Sequence, residues 1–301
     1  YINQTTNYAG LFGRVSNAEI KDLTMQNCKV VSTGEYVGNI VGYANNSSIS
    51  NCSAEETEVS GKYRVGGIVG TVDGRATITN CYNTGSVNGR RTIGGIVGSC
   101  GSGGTTTITN CYNMGSVSSN EVVGGIVGGF SGATTITNCY NTGSVVGGYH
   151  RIGGILGAVD GAAVITNCYN TSSVSGTSTS ATVFCFVGGI VGDVFIATAT
   201  ITNCYNTGDV SCLSSGGGIV GEVYRTPTIT NCYYLKTSDV NASLNGVGYI
   251  AGTLTSTSFF GTFSSAESGL TKCVDSPSKL PDETSNLKTV LNAYVSKNPI
   301  Y

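Results

Sequence analysis

The chain of 301 residues carries 15 Lys and Arg against 17 Asp and Glu, a net charge of −2, and only 11% of its residues are charged, where about a quarter is usual. With no basic run longer than Arg90-Arg91 it is neither a nucleic-acid nor an anionic-membrane surface, and no apolar run reaches the ~18 residues of a membrane span. Its 40% apolar content and many β-branched residues exclude disorder.

The chain opens on Tyr1 rather than Met, which points to a removed leader or a larger upstream region. Tyr8, Leu11 and Phe12 enter the first repeat without a capping segment, so an uncapped N-terminal coil is expected, open to docking by a second subunit. From there one phrase returns, a glycine-flanked apolar pair followed by Thr-Ile-Thr-Asn-Cys-Tyr-Asn. The last glycine of its first block falls at Gly13, Gly42, Gly70, Gly98, Gly128, Gly157, Gly192, Gly221 and Gly252, and its cysteine at Cys28, Cys52, Cys81, Cys111, Cys139, Cys168, Cys204 and Cys232. A period near 29 residues marks a solenoid, whose units bury apolar faces only against their neighbours.

Glycine and β-branched residues in short runs favour strands over helix. The unit Val65 to Thr92 divides into strands at Val65–Val69, Thr77–Tyr82 and Gly85–Val87, with turns at Asp73-Gly74, Asn83-Thr84 and Asn88-Gly89. The predicted fold is all-β: a parallel β-helix (β-solenoid) of about nine coils with three short strands each, right-handed by the crossover rule. Residues 1–252 form one body roughly 43 Å long at ~4.8 Å per coil. The single insertion, Ser175 to Ala181, reads as a surface loop. Residues 253–301 form a closing segment, in which Leu287, Val290, Leu291 and Tyr294 after Pro281 predict an amphipathic capping helix over 282–297.

Stacking turns repeated residues into columns. Asn80, Asn110, Asn138, Asn167, Asn203 and Asn231 form an asparagine ladder holding a corner. Cys81, Cys111, Cys139, Cys168, Cys204 and Cys232 turn inward as reduced fillers, since rungs ~4.8 Å apart exceed the ~3.8 Å Cβ separation of a disulfide. Off that column lie Cys100, Cys185, Cys212 and Cys273; Cys185 and Cys212 flank the insertion and make the candidate disulfide. Tyr82, Tyr112, Tyr140, Tyr169, Tyr205 and Tyr233 form an outward rank, a candidate contact surface.

The blocks Gly67-Ile68-Val69-Gly70 and Ile78-Thr79-Asn80-Cys81-Tyr82-Asn83-Thr84-Gly85-Ser86-Val87 resemble the GLUG repeat of bacterial surface and secreted proteins, including adhesin-like chains and regions of IgA-cleaving metallopeptidases. The resemblance covers residues 9 to 252. It implies an extracellular or cell-surface β-solenoid and brings no catalytic residues, cofactor or metal. The metallopeptidase chemistry does not carry over, because no His-Glu-x-x-His occurs and His150 stands alone.

Three functional readings follow. A polysaccharide-cleaving β-helix needs clustered carboxylates, yet Asp73 and Asp160 lie three coils apart, ~14 Å, beyond the ~5–9.5 Å of carboxylate pairs. Asp73, Arg75, Arg90 and Arg91 form the one charged neighbourhood, read as a solvated edge. An ice-binding face would use the ranks Thr77/Thr79, Thr107/Thr109, Thr135/Thr137, Thr200/Thr202 and Thr228/Thr230, which resemble the Thr-x-Thr arrays of β-solenoid antifreeze proteins. The favoured reading is a non-enzymatic extracellular structural or adhesive rod. It associates with itself through the N-terminal coil into a filament, or meets a host or surface glycan or protein.

Overall fold

The computed structural model describes residues 1–5, 7–178, 184–195, 198–213, 215–236, 245–251 and 260–264. Among these the regular structure is strand alone, arranged in sheets of 22, 9 and 8 strands. Adjacent coils pair in parallel, so each residue meets its counterpart one repeat on.

One turn shows the pattern. Ala76–Thr79 lies in the eight-stranded sheet, Tyr82–Asn83 in the nine-stranded sheet, and Ser86–Gly94 with Val97–Cys100 in the largest sheet. The first corner is Asn80, at φ 53°, a left-handed conformation that asparagine tolerates better than most side chains. Asn88 and Gly89, expected as a turn, instead lie within the strand Ser86–Gly94 and pair with Ser118 and Ser119. Val87 and Ile93 on either side of them both face the core.

The largest sheet folds back on itself once per coil at the Gly-Gly step. A Cβ on Gly66 would lie 2.0 Å from the carbonyl oxygen of Val69 and 2.7 Å from Gly98 N. The two limbs therefore touch backbone to backbone, which only glycine permits.

Within the stack, Ile49, Ile78, Ile108, Ile136, Ile165, Ile201 and Ile229 form one in-register column, fully buried. Burial of a side chain of this size stabilises by about 1.5–3 kcal/mol, and here it happens only when coils lie on one another.

The eight-stranded sheet, from Glu19–Lys21 to Thr228–Thr230, counts about eight turns rather than nine. Of the ninth glycine block, Asn245–Ile250 pairs with Ser215–Val223 in the largest sheet, while Gly252 itself lies outside the described residues, as does the expected helix over 282–297. The boundary drawn after residue 252 is also displaced: Phe260–Ser264 pairs with Cys232–Lys236 as a further rung of the nine-stranded sheet. Of the insertion, Ser175 and Gly176 belong to a strand paired with Val146 and Gly147, and the rest of its described part is Thr177 and Ser178.

Candidate binding groove

The repeated side chains form four kinds of column. In the outer asparagine ladder Asn80, Asn110, Asn138, Asn167, Asn203 and Asn231 each donate to the preceding coil's asparagine at 3.1–3.2 Å. Each cysteine from Cys81 to Cys232 in the second column is buried as a thiol. Cys111 is typical, facing the carbonyls of Thr109 at 3.3 Å and of Ile78, one coil back, at 3.6 Å. Burial pushes the thiols of Cys139, Cys204 and Cys232 up, away from the reactive thiolate. Tyr82, Tyr112, Tyr140, Tyr169 and Tyr205 stack with ring centroids 4.8–4.9 Å apart and planes within 5°, and Tyr233 pairs next in register. The rings are half-buried against one another. The tyrosine at the N-terminal end of the stack, Tyr82, donates its hydroxyl to Glu55.

The fourth column consists of threonine ranks. Thr77, Thr107, Thr135, Val164, Thr200 and Thr228 are in register, as are Thr79, Thr109, Thr137, Thr166, Thr202 and Thr230. Off the columns, Cys185 and Cys212 are thiols, so the candidate bridge is not formed. Cys185 Sγ fills the space a side chain on Gly176 would take, and burial, with Cys212 close by, pushes its thiol up to about 12. Cys273 lies outside the described residues.

A second asparagine ladder escaped the sequence reading, which placed Asn83 in a turn. Asn83, Asn113, Asn141, Asn170 and Asn206 are fully buried, and each of the first four donates to the next at 2.7–2.8 Å. Each rung packs against the second glycine of the Gly-Gly step: a Cβ on Gly67 would meet Asn83 Cγ at 2.7 Å. The signal was present in the sequence, because this asparagine recurs at the same period as the outer one.

The groove was also unforeseen. Where the two limbs of the largest sheet fold together, the residue after the last glycine of one coil lies across from the residue before the Val-Gly-Gly step of the coil before it. Tyr43 thus lies between Tyr8 and Tyr36 at 5.8 and 5.6 Å, a Cβ on Gly98 would meet the Arg64 backbone, a Cβ on Gly129 would lie 3.6 Å from Thr92, and Asp193 meets Arg151. At the N-terminal end aromatic rings and Arg14 fill the space, with the guanidinium 5.2 Å from the Tyr43 ring and 5.7 Å from Tyr8. Over the middle coils the side chains shrink and leave a cavity of about 420 Å3. The backbone is strained here: Arg64 has φ 50° and Thr92 φ 63°, the latter an outlier for a β-branched residue.

Charge gathers along this groove. Arg64 pairs with Glu35 at 3.2 Å, and Glu121 pairs with Arg91 at 3.2 Å and with Arg90 at 4.0 Å. Arg151 stands 3.5 Å from Asp160 and 2.6 Å from Asp193. Arg90 and Arg91 thus belong to an ion-pair group at the groove rim, not to a neighbourhood with Asp73. Asp73 instead accepts from Gly74 N, Gly103 N and Tyr43 Oη at 2.9–3.1 Å; burial alone raises its pKa, but these bonds outweigh it and hold the carboxyl low.

Beyond Arg151, Asp193 and Glu222 are in register on adjacent coils and buried, at 0% and 2% exposure. Arg151 Nε stands 2.6 Å from Asp193 Oδ2 as an ion pair, while Asp193 Oδ1 and Glu222 Oε1 have no hydrogen-bond partner. Burial pushes Asp193 up to about 7, against the pull of Arg151, and pushes Glu222 up to about 8, helped by Asp193.

A family model described as the GLUG motif matches residues 61–88 and 148–175. The chain carries GLUG repeats. Each matched GLUG repeat spans one coil, from the strand leading into the limb fold through the threonine strand, both asparagine rungs and the tyrosine. The motif is thus explained by stacking: its first glycine closes the fold, its second makes room for the inner asparagine. The fold is similar to that of a crystal structure from Bacteroides ovatus titled "putative immunoglobulin A1 protease", with TM-score 0.50, 20% identity, and coverage of 85% of this chain and 81% of that one. At that identity the likeness concerns fold alone. No curated protein matches the chain.

Proposed function

We propose that the chain is a non-enzymatic, extracellular structural and adhesive β-solenoid that holds an extended ligand in its lengthwise groove. One observation carries the reading. Between Thr92 and Val220 the charged residues are Glu121, Arg151, Asp160, Asp193 and Asp209; three of the five meet at one point of the groove and a fourth sits on its rim. Over these coils a surface that otherwise carries almost no charge concentrates it where side chains leave room for a ligand.

The carboxyls do not suit hydrolysis. Asp73 and Asp160 occupy one column three coils apart, ~14 Å, and the adjacent pair Asp193 and Glu222 is sealed from solvent. The test is retention of the purified chain on immobilised polysaccharides, with the polymer's length measured before and after. Retention without shortening is expected; shortening would overturn the non-enzymatic reading, and no retention on any polymer would overturn the adhesive one. The same proposal includes end-to-end stacking into filaments through the N-terminal coil, for which negative-stain images should show fibres rather than short rods.

The registered threonine ranks support a second reading, ice binding. It requires thermal hysteresis in the parent chain that is lost in Thr109→Leu with Thr137→Leu, and a parent without hysteresis ends it.

A further inference from the structure

We infer that the groove between Arg64 and Arg151 takes a short acidic oligosaccharide, a chain of hydroxylated rings bearing carboxylates. This rests on the groove being a binding site, as proposed above.

Shape limits the ligand first. The open stretch covers the rungs from Arg64 to Arg151, three coil steps or ~14 Å, and its volume of about 420 Å3 lies in the range of small-ligand sites. Large side chains close both ends: Tyr36 stacks under the Arg64 guanidinium at 5.1 Å, and Arg151 is held by Asp160 and Asp193.

Charge selects an anion. Glu121, with its side chain 15% exposed, faces two guanidiniums, those of Arg90 and Arg91, which leaves one positive charge in surplus. The Arg64–Glu35 pair is 41% exposed on both sides and is worth little by itself, so its guanidinium is available to a bidentate carboxylate. Arg151 closes the far end against Asp160 and Asp193, and burial pushes the Asp193 carboxyl up against the pull of Arg151.

Hydroxyls select a sugar over a peptide. Thr92, Ser99 and Ser131 line the cavity, and Thr71, one rung before Ser99, is 5% exposed with an Oγ1 that has no hydrogen-bond partner. Hydroxyl groups both donate and accept, which matches a polyol. A peptide strand would instead seek a free sheet edge, and this groove lies on a sheet face whose amides already bond the next coil, as Ile93 N does to Val122 O.

The experiment is calorimetric titration of the full chain at low and moderate salt with an oligogalacturonate, a neutral galactan oligomer of the same length, and an oligoglutamate. The uronate should bind, weaken with salt, and bind about tenfold more weakly to Arg91→Gln and to Arg64→Gln, both exposed positions whose melting temperatures should stay at the parent value. Uronate affinity unchanged in both variants overturns the inference. Equal binding of the neutral oligomer overturns the acidic assignment while the groove stands, and equal binding of oligoglutamate overturns the saccharide. Binding of none overturns the inference, and the retention test above then decides the adhesive reading separately.

Discussion

Asn83 Nδ2 donates forward to Asn113 Oδ1 at 2.8 Å, while three residues earlier on the next coil Asn110 Nδ2 donates back to Asn80 Oδ1 at 3.1 Å. Two amide ladders of opposite direction thus run side by side, the inner one dry and the outer one wet. Asn113 also donates to Gly115 O at 2.7 Å, so its removal strands several buried groups. Asn113→Ala should lower stability by about 1–3 kcal/mol for each group left unsatisfied, and Asn110→Ala by less, because water replaces its bonds. Urea denaturation of the two variants measures the difference, and equal losses would mean that the inner ladder has no special weight.

The second glycine of the repeat should tolerate no side chain. A Cβ on Gly95 would stand 2.1 Å from Gly125 O and 2.4 Å from Asn113 Cγ, and neither neighbour can retreat in a stack held from both sides. Gly95→Ala is expected to prevent folding or to lower the melting temperature far more than Gly103→Ala, whose Cβ would meet the Asp73 carboxylate at the edge of a turn. A thermal melt compares them.

Buried acids give the rod a pH dependence. Asp193 is raised to about 7 and Glu222 to about 8, whereas unfolded carboxyls titrate near 4. Between those values the folded chain keeps protons that the unfolded chain has lost. Stability from these groups is therefore full below about pH 4 and is lost progressively as pH rises to about 8. Urea midpoints measured from pH 5 to 9 should fall, and Glu222→Gln should flatten the fall and raise stability at pH 9. An unchanged slope in that variant would remove Glu222 from the explanation.

The cysteine column should be silent to thiol reagents. Cys81, Cys111, Cys139, Cys168, Cys204 and Cys232 have 0% exposure, while Cys28 is half-exposed. Mass spectrometry after brief alkylation of the native protein should find Cys28 labelled and those six unmodified until denaturant is added. Prompt labelling of the six would mean that the stack opens on its own.

The stack itself was legible in the sequence because a parallel solenoid copies its period directly into the chain: Ile78, Cys81 and Tyr82 each announce a column by recurring. The inner ladder was obscured by a local rule, since Asn83-Thr84 has turn chemistry and only the neighbouring Gly67 shows that it faces a cavity made for an amide. The groove was harder still. Arg64, Arg151 and Asp193 break the repeat instead of following it, and Arg151 meets Asp193 because the limb fold, set by Gly66 and its equivalents, lays one limb against the other limb of the preceding coil. Periodicity finds what is constant from coil to coil, and a binding site is made from what varies.

Registered stacking of the coils is most directly tested by a distance between two exposed threonines in one rank. Thr77 and Thr228 are joined by five successive register pairs, so their backbones should lie ~24 Å apart. Pulsed electron spin resonance on non-thiol labels at these two positions should give one narrow distribution near that value. A broad distribution, or one centred far from it, would contradict the stacked rod.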